Sequence, residues 1–159
     1  MAATTSVTKI LVVCMGNICR SPTMEAVMKA KAQAQGLTLT VDSAGTINYH
    51  EGNSPDKRSA KAGQKRGYSF SGITSRQVVK KDFEEFDLIL CADNNNLADL
   101  QANCPPVYLH KLHLFLTYAG MDVAEVPDPY YGDGDGFELV LDLVETASDR
   151  IIKALNSSS

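Results

Sequence analysis

Residues 10–22 read Ile-Leu-Val-Val-Cys-Met-Gly-Asn-Ile-Cys-Arg-Ser-Pro, and this stretch decides the fold of the chain. Its apolar start, which ends at Cys14, is typical of a strand buried on both faces of a parallel sheet. Ser21 is a favoured helix N-cap and Pro22 a favoured first helical residue, so a helix is predicted to begin there. The stretch therefore predicts a strand, a tight loop and a helix N-terminus, with a cysteine where strand and loop meet.

The loop that follows Cys14 has the composition of an oxyanion site. Its successive backbone amides can point inward, and the helix N-terminus adds partial positive charge. Gly16 and Asn17 are residue types that readily adopt positive φ, which a tight ring of amides requires. Arg20 adds a planar fork of donors that matches a tetrahedral phosphate. Because this field stabilises an anion, we expect Cys14 to be a thiolate near neutral pH and to attack a phosphate ester.

Strands and helices alternate along the rest of the chain. Runs of apolar or alternating residues predict four strands, at 9–13, 37–43, 86–91 and 104–109. Helical spacing predicts helices at 21–35 and 56–65, one that contains Leu97 and Leu100, and a last one from Asp135. This order predicts an α/β domain of the flavodoxin or Rossmann type, with an open, mostly four-stranded parallel sheet and helices on both faces. In such sheets the ligand lies beyond the carboxyl ends of the strands, where Cys14 falls.

Composition and charge limit the possible functions. The chain has 159 residues, 44% of them hydrophobic, which suits one domain with a full core. Its formal net charge of −4 argues against a general nucleic-acid binder, and its apolar runs are too short to span a membrane. Residues 1–8 do not have the pattern of a secretory signal. We expect a cytoplasmic protein whose domain spans 9–156, with flexible ends at 1–8 and 157–159.

The cysteines and histidines do not indicate a metal site. His110 and His113 are three residues apart, but further ligands are not close in sequence. We therefore expect no metal and no cofactor. The four cysteines are interpreted as reduced thiols rather than a disulfide framework: Cys14, Cys19, Cys91 and Cys104.

The segment Cys14–Pro22 resembles the phosphate-binding loop of the low-molecular-weight protein tyrosine phosphatases. Three more segments match that family in order and spacing: Val-Asp-Ser-Ala-Gly at 41–45, Asp-Leu-Ile-Leu-Cys-Ala-Asp at 87–93 and Asp-Pro-Tyr-Tyr at 128–131. The resemblance implies a metal-independent hydrolase that acts on phosphotyrosine proteins and small aryl phosphates. It implies inorganic phosphate as product and inhibitor, neither nucleic acid nor membrane as a partner, and a monomer capable of weak self-association.

The resemblance also assigns roles to the loop and its surroundings. Cys14 is the implied nucleophile, and Asp93 is implied to support the loop. Asn17, Ser21 and Ser43 are implied to share hydrogen bonds that hold the loop rigid. A disulfide between the nucleophile and Cys19 is implied under oxidation. The implied phosphate-binding residues, besides Arg20, are Met15, Gly16, Asn17, Ile18, Cys19 and Ser21.

A phosphatase that works through Cys14 also needs an acid, because the tyrosyl oxygen leaves poorly as a free anion. Asp128 is the best candidate, since Pro127 and Pro129 stiffen the backbone around it. We expect it to protonate the leaving phenol and then to accept a proton from water. Three aromatic residues are expected to form a deep slot that favours phosphotyrosine over phosphoserine: Tyr49, Tyr130 and Tyr131.

One position departs from the family pattern. Family members often carry a histidine in the supporting network where this chain has Ile73. The loop is therefore expected to be braced less firmly or in another way, for which Thr74 and Ser75 are the candidates.

Three alternatives remain open on the sequence. Thiol-dependent arsenate reductases share the loop and use two further cysteines; Cys91 lies where the second would be, but Cys104 is farther away than that relay requires. Protein arginine phosphatases carry threonine where this chain has Ile18, and an apolar residue there favours tyrosine. A non-catalytic phosphate-binding module would need neither a thiolate nor an acid such as Asp128.

Overall fold

The computed structural model describes residues 7–48, 50–129 and 135–158. Of the ends predicted to be flexible, residues 1–6 and 159 lie outside these ranges, whereas Ser157 belongs to the last helix. Within the described ranges, no helix has both the length and the apolar character needed to cross a membrane.

A four-stranded parallel sheet forms the centre of the domain, in the order β2-β1-β3-β4. The strands are β1 (Lys9–Cys14), β2 (Thr40–Gly45), β3 (Leu88–Cys91) and β4 (Leu112–Leu114). The chain runs from β1 to β2 on one side and then crosses to β3 on the other. This reversal leaves a crevice at the carboxyl end of β1, the usual ligand position in open α/β sheets.

Helices cover both faces of the sheet, as predicted. One face packs Ile10 and Val12 against Met24 and Leu141, and the other packs Leu11 against a second set of helices. The helices are α1 (Arg20–Ala34), α2 (Lys57–Lys65), α3 (Lys80–Glu85), α4 (Asn94–Asn103), α5 (Phe115–Tyr118) and α6 (Asp135–Ser158), with a 3₁₀ helix at Pro106–Lys111.

The predicted fourth strand at 104–109 is wrong. Pro105-Pro106 leads into the 3₁₀ helix, where Val107 is 67% exposed and Leu109 41% exposed, although Cys104 before it is buried in the core. The strand comes later, where Leu112 and Leu114 flank His113 in the alternating pattern of β4. The short helices α3 and α5 were not predicted, because six and four residues are too few to display a helical period.

The start of α1 also differs from the prediction. The helix begins at Arg20, with Cys19 at the N-cap position and no side-chain cap. Ser21 lies within the first turn, and its hydroxyl is used elsewhere. Its closest partners are Asn17 Nδ2 in the preceding loop, at 2.7 Å, and Cys14 Sγ at the end of β1, at 3.1 Å.

Candidate active site

The loop between β1 and α1 is shaped by close backbone contacts. A Cβ at Gly45 would lie 2.6 Å from Met15 O, so only glycine lets β2 approach the loop this closely. Asn17 has a φ of 56°, the left-handed conformation expected of it, and is 1% exposed. Gly16 does not have the expected positive φ. The absence of a side chain at Gly16 instead lets the His50 ring pack closely, since a Cβ there would lie 2.9 Å from His50 Cδ2.

The Cys14 sulfur receives hydrogen bonds from the loop and from the first turn of α1. Asn17 N–H donates to Cys14 Sγ at 3.3 Å, and Ser21 Oγ lies 3.1 Å from the same sulfur. Asn17 Nδ2 donates to Ser21 Oγ at 2.7 Å. The Ser21 hydrogen is then available to the sulfur, since the alternative acceptor, Ala44 O, is farther away at 3.4 Å. These donors stabilise a thiolate.

Arg20 is buried and held in place below the cleft. Its Nη1 donates to Asp93 Oδ2 at 2.6 Å and to Val126 O at 3.1 Å. Burial opposes its charge, but the neighbouring Cys14 sulfur and Asp93 carboxylate outweigh burial and raise the pKa of Arg20. Asp93 is fixed in turn, because its Oδ1 accepts from Asn96 N at the start of α4. Asp93 therefore supports the loop through Arg20.

Asp128 faces Cys14 across a small cleft. The loop contributes Met15, Gly16, Ile18 and Cys19 to the lining, beside Cys14 and Arg20. His50 and Asp128 complete the lining from other segments. The Asp128 side chain is 31% exposed, and its Oδ2 lies 3.6 Å from Arg20 Nη2. Cys14, Arg20 and Asp128 thus line one cleft, as the sequence predicts.

The predicted aromatic slot falls on residues that the structure does not describe. The tyrosines predicted to form that slot lie outside the described residues: Tyr49, Tyr130 and Tyr131. His50 also lines the cleft, although it was not predicted from the sequence. Its ring reaches the cleft only because the loop that follows β2 folds back over Gly16. The one available signal was its position next to Tyr49.

The expected hydrogen-bond network is present only in part. Asn17 and Ser21 are bonded as expected, but Ser43 is not the third member. Its hydroxyl donates instead to Glu25 Oε1 at 2.6 Å. Glu25 is a buried carboxylate of α1, paired also with Lys29, and a buried charge needs such donors.

The segment after Ile73 braces the loop through a side-chain hydrogen bond. Ile73 packs in an apolar cluster, and Thr74 is exposed. Ser75, however, is buried, and its Oγ donates to Gly16 O at 2.9 Å. Of the two candidates that the sequence suggested, Ser75 makes the contact.

The other cysteines lie in different environments. Burial, with a smaller contribution from the negative charge of Asp56, raises the pKa of Cys19 to about 12. Cys91 packs in the core on the opposite face of the sheet from Cys14, and burial raises its pKa as well. Among the described residues, no group of three or more histidine, cysteine or acidic side chains could hold a metal ion.

Comparison with known proteins identifies the family. A family model described as low molecular weight phosphotyrosine protein phosphatase matches residues 9–159. The human protein of that name is 40% identical over 135 residues, which cover 82% of this chain and 85% of the human one. The low molecular weight protein-tyrosine-phosphatase YfkJ of Bacillus subtilis is 35% identical over 149 residues, 92% of this chain and 94% of its own. A crystal structure of the Entamoeba histolytica protein tyrosine phosphatase superimposes with a TM-score of 0.90 at 45% identity, covering 95% of this chain and 98% of that one. Together with the geometry of the cleft, these matches show that the chain belongs to the low molecular weight phosphotyrosine protein phosphatase family of hydrolases.

Proposed function

We propose that this protein hydrolyses phosphotyrosine in proteins, and small aryl phosphates, through a phosphocysteine intermediate on Cys14. The observation that carries the proposal is the position of Cys14 Sγ in one cleft with Arg20 and Asp128. A nucleophile, an oxyanion-binding cation and a proton donor are the three groups that this reaction requires.

In the first step, the Cys14 thiolate attacks phosphorus and forms a P–S bond. The bond between phosphorus and the tyrosyl oxygen breaks, and the Asp128 carboxyl group gives its proton to that oxygen. The loop amides and the Arg20 guanidinium hold the remaining phosphate oxygens while charge builds up on them. Asp93 contributes by fixing Arg20 rather than by touching the substrate.

In the second step, a water molecule attacks the phosphorus of the intermediate. Asp128, now a carboxylate, accepts a proton from that water, the P–S bond breaks and the thiolate returns. Inorganic phosphate leaves the loop. Since phosphate occupies the same donors as the substrate, we expect it to inhibit competitively.

The cleft favours an aryl substrate over the two rival chemistries. Ile18 lines it with an apolar surface, which suits a phenyl ring better than a guanidinium group. Cys91, the cysteine required for an arsenate relay, is buried on the other face of the sheet from Cys14. That position argues against direct thiol exchange between the two sulfurs.

The proposal also includes reversible inactivation of the enzyme by oxidation of Cys14. Peroxide would convert the Cys14 thiolate to a sulfenic acid, and the Cys19 thiol would condense with it to give a disulfide and water. Since the pKa of Cys19 is raised to about 12, Cys19 is the less reactive first target. A catalytic thiolate needs reducing surroundings, in keeping with the cytoplasm, where we place the protein.

The function is tested by comparing substrates in the presence of a chelator. We expect hydrolysis of phosphotyrosine peptides and p-nitrophenyl phosphate, and competitive inhibition by phosphate. Faster hydrolysis of a phosphoarginine peptide, or thiol-dependent arsenate reduction without phosphatase activity, would replace the proposal by one of its rivals. Binding of phosphate without turnover of any ester would leave only a phosphate-binding module.

The redox part is tested separately with Cys19→Ser. Wild type treated with mild peroxide should recover full activity when a thiol reductant is added. The variant should be active when reduced but should lose activity irreversibly, as Cys14 is oxidised further to a sulfinic acid. Equal recovery of both proteins would make Cys19 a packing residue only.

A further inference from the structure

One peptide unit of the phosphate-binding loop makes hydrogen bonds at both ends. Its oxygen, Gly16 O, accepts from Ser75 Oγ at 2.9 Å, and its N–H, that of Asn17, donates to Cys14 Sγ at 3.3 Å. A trans peptide is planar, and its C=O and N–H point in opposite directions. A group that holds the oxygen outside the loop therefore also aims the hydrogen at the sulfur inside it.

A second hydrogen-bond chain reaches the same sulfur from the next residue. Arg76 N–H donates to Asn17 Oδ1 at 3.0 Å. Because this N–H can only donate, it fixes the amide of Asn17 with its oxygen toward Arg76 and its nitrogen toward Ser21. Ser21 Oγ then accepts from Asn17 Nδ2 and is left to donate to Cys14 Sγ. Ser75 and Arg76 thus each support a hydrogen bond to Cys14 Sγ. Ser75 acts through the Gly16–Asn17 peptide, and Arg76 acts through the side chains of Asn17 and Ser21.

The segment that carries Ser75 is itself tied down. Ser75 N donates to Asn53 O, and Gly52 N donates to Ser75 O, both at 2.8 Å. The oxygen of Arg76 accepts from Gly45 N, also at 2.8 Å. Ser75 is 3% exposed, so water does not compete for its hydroxyl.

The side chain of Arg76 adds a second anchor. Its guanidinium pairs with Asp82 Oδ2 at 3.0 Å and with Asp42 Oδ2 at 3.1 Å, on α3 and β2 respectively. Asp82 is buried and also accepts from Val79 N at the start of α3. The brace therefore connects the catalytic loop to two neighbouring elements of the fold.

We propose that Ser75 is a positioning residue of the phosphatase reaction, and that it acts by orienting the Gly16–Asn17 peptide toward Cys14. The inference rests on the proposed role of Cys14 as nucleophile. Without the Ser75 hydroxyl, Gly16 O loses its partner and the peptide can rotate, so one N–H no longer stabilises the thiolate. The thiolate then forms at higher pH, and fewer enzyme molecules are reactive in mildly acidic solution.

The test compares Ser75→Ala with Thr74→Ala, a matched control at the exposed neighbour. The first measurement is the pH dependence of Cys14 alkylation by iodoacetate, which needs no turnover. Ser75→Ala should move the midpoint to higher pH and slow alkylation near pH 5.5 by roughly three- to tenfold, while Thr74→Ala leaves it unchanged. Ser75→Thr, which keeps the hydroxyl, should restore the profile. The titratable and charged groups around the sulfur are the same in all variants: Cys19, Arg20, His50, Asp93 and Asp128.

The second measurement is the kinetics with p-nitrophenyl phosphate. Ser75→Ala should lower kcat/KM about tenfold at acidic pH and much less at neutral pH, where the thiolate forms even without the brace. If Ser75→Ala does not fold, Ser75→Cys, with a weaker donor of similar size, replaces it in this kinetic measurement alone, because iodoacetate would also alkylate the new thiol. An unchanged pH dependence of kcat/KM in Ser75→Cys would then overturn the proposal. A folded Ser75→Ala with an unchanged alkylation profile would overturn the proposal. Normal alkylation of wild type without ester hydrolysis would instead contradict the proposed function.

Discussion

The two sides of the cleft are held in different ways. We call the side formed by Cys14 and Arg20 the phosphate side, and the side formed by Asp128 the acid side. Cys14 and Arg20 are 3% exposed, and each has at least two hydrogen-bond partners in the surrounding backbone and side chains. Asp128 lies on a loop, and its side chain is 31% exposed. Its contact with Arg20 is long, at 3.6 Å.

This difference fits the task that the proposed mechanism assigns to each side. The phosphate side must present fixed donors to a developing charge, and donors that need no reorganisation are the most effective. In the proposed mechanism, the acid side must admit an aromatic ring, give one proton to the phenol oxygen and accept one proton from water in each cycle. We expect changes on the phosphate side to affect every substrate and changes on the acid side to depend on the leaving group.

Cys14→Ser should cause the largest loss. A serine hydroxyl is not ionised in this field, so kcat should fall by at least about 10⁴-fold for every ester. Binding of phosphotyrosine, measured by calorimetry, should persist, because the loop amides and Arg20 remain. Cys104→Ser, in the core on the opposite face of the sheet, is the control and should be active. Substantial turnover by Cys14→Ser would place the nucleophile elsewhere.

Arg20→Lys should cause the next largest loss. Lysine keeps the charge but cannot bond Asp93 and a phosphate with one planar group. We expect kcat to fall about 10²- to 10³-fold, to a similar extent for phosphotyrosine and for p-nitrophenyl phosphate. Arg58→Lys, at an exposed ion pair with Asp56, is the control. Near-normal activity of Arg20→Lys would mean that charge alone suffices on the phosphate side.

Asp128→Asn should affect the two esters to different extents, because it changes the acid side of the cleft and leaves the phosphate side intact. Asparagine cannot donate the proton that phenol needs, so kcat for phosphotyrosine should fall about 10²- to 10³-fold. The loss should be less than about tenfold for intermediate formation from p-nitrophenyl phosphate, whose leaving anion is stable. The basic limb of the pH–rate profile should flatten. Asp122→Asn, an exposed acid on the same loop, should behave as wild type. Equal losses for both esters would mean that another group is the acid.

The smallest effect is expected from a change at Asp56, which connects the phosphate-binding loop to α2. Asp56 caps this helix, and its backbone N–H donates to Ile18 O of the loop at 2.7 Å. Burial opposes its charge, but hydrogen bonds from Arg58 and Ser59 prevail and lower the pKa of Asp56 below its model-compound value of 3.8. A lowered pKa means that this charge stabilises the folded state above that value, and that the stabilisation disappears as the pH falls through the folded-state pKa.

Asp56→Asn keeps the cap but removes this charge. The free energy of unfolding should be lower than that of wild type by about 0.5 kcal/mol at neutral pH, and the difference should vanish in acid. Denaturant titrations between pH 6 and about pH 2.5 measure it. A difference that stays constant or grows as the pH falls would contradict the assignment.

Much of the fold follows from local sequence patterns, but short elements do not. The run that ends at Cys14 predicts a central strand, and the structure confirms it, because a fully apolar strand has no other stable environment. The segment after Pro106 was wrongly predicted to be part of a strand, because the same apolar residues can lie on a solvent-facing 3₁₀ helix. A local sequence pattern cannot show whether distant elements of the fold will cover an apolar segment.

The candidate site, like the fold, could be predicted from the sequence only in part. The positions of Cys14, Arg20 and Asp128 follow from a motif, and the structure brings them into one cleft. The hydrogen-bond partners of the loop were predicted only in part. The bond between Asn17 and Ser21 was expected, and Ser75 was one of two candidates for the brace, but Ser43 bonds Glu25 instead of the loop. Ser75 contacts Gly16 across 59 positions of sequence, and His50 reaches the cleft from a neighbouring loop. Such contacts depend on how loops pack, for which spacing along the chain provides no rule.

Transfer of the phosphoryl group to Cys14 can be observed by trapping the intermediate. Asp128→Asn should form the phosphoenzyme from p-nitrophenyl phosphate faster than it hydrolyses it, because the departing anion needs no acid whereas the attacking water needs a base. Acid quenching on the millisecond scale, followed by peptide mass spectrometry, should find one phosphoryl group on Cys14 and a burst of one nitrophenol per enzyme. Phosphate on another residue, or a burst without any phosphopeptide, would contradict the account.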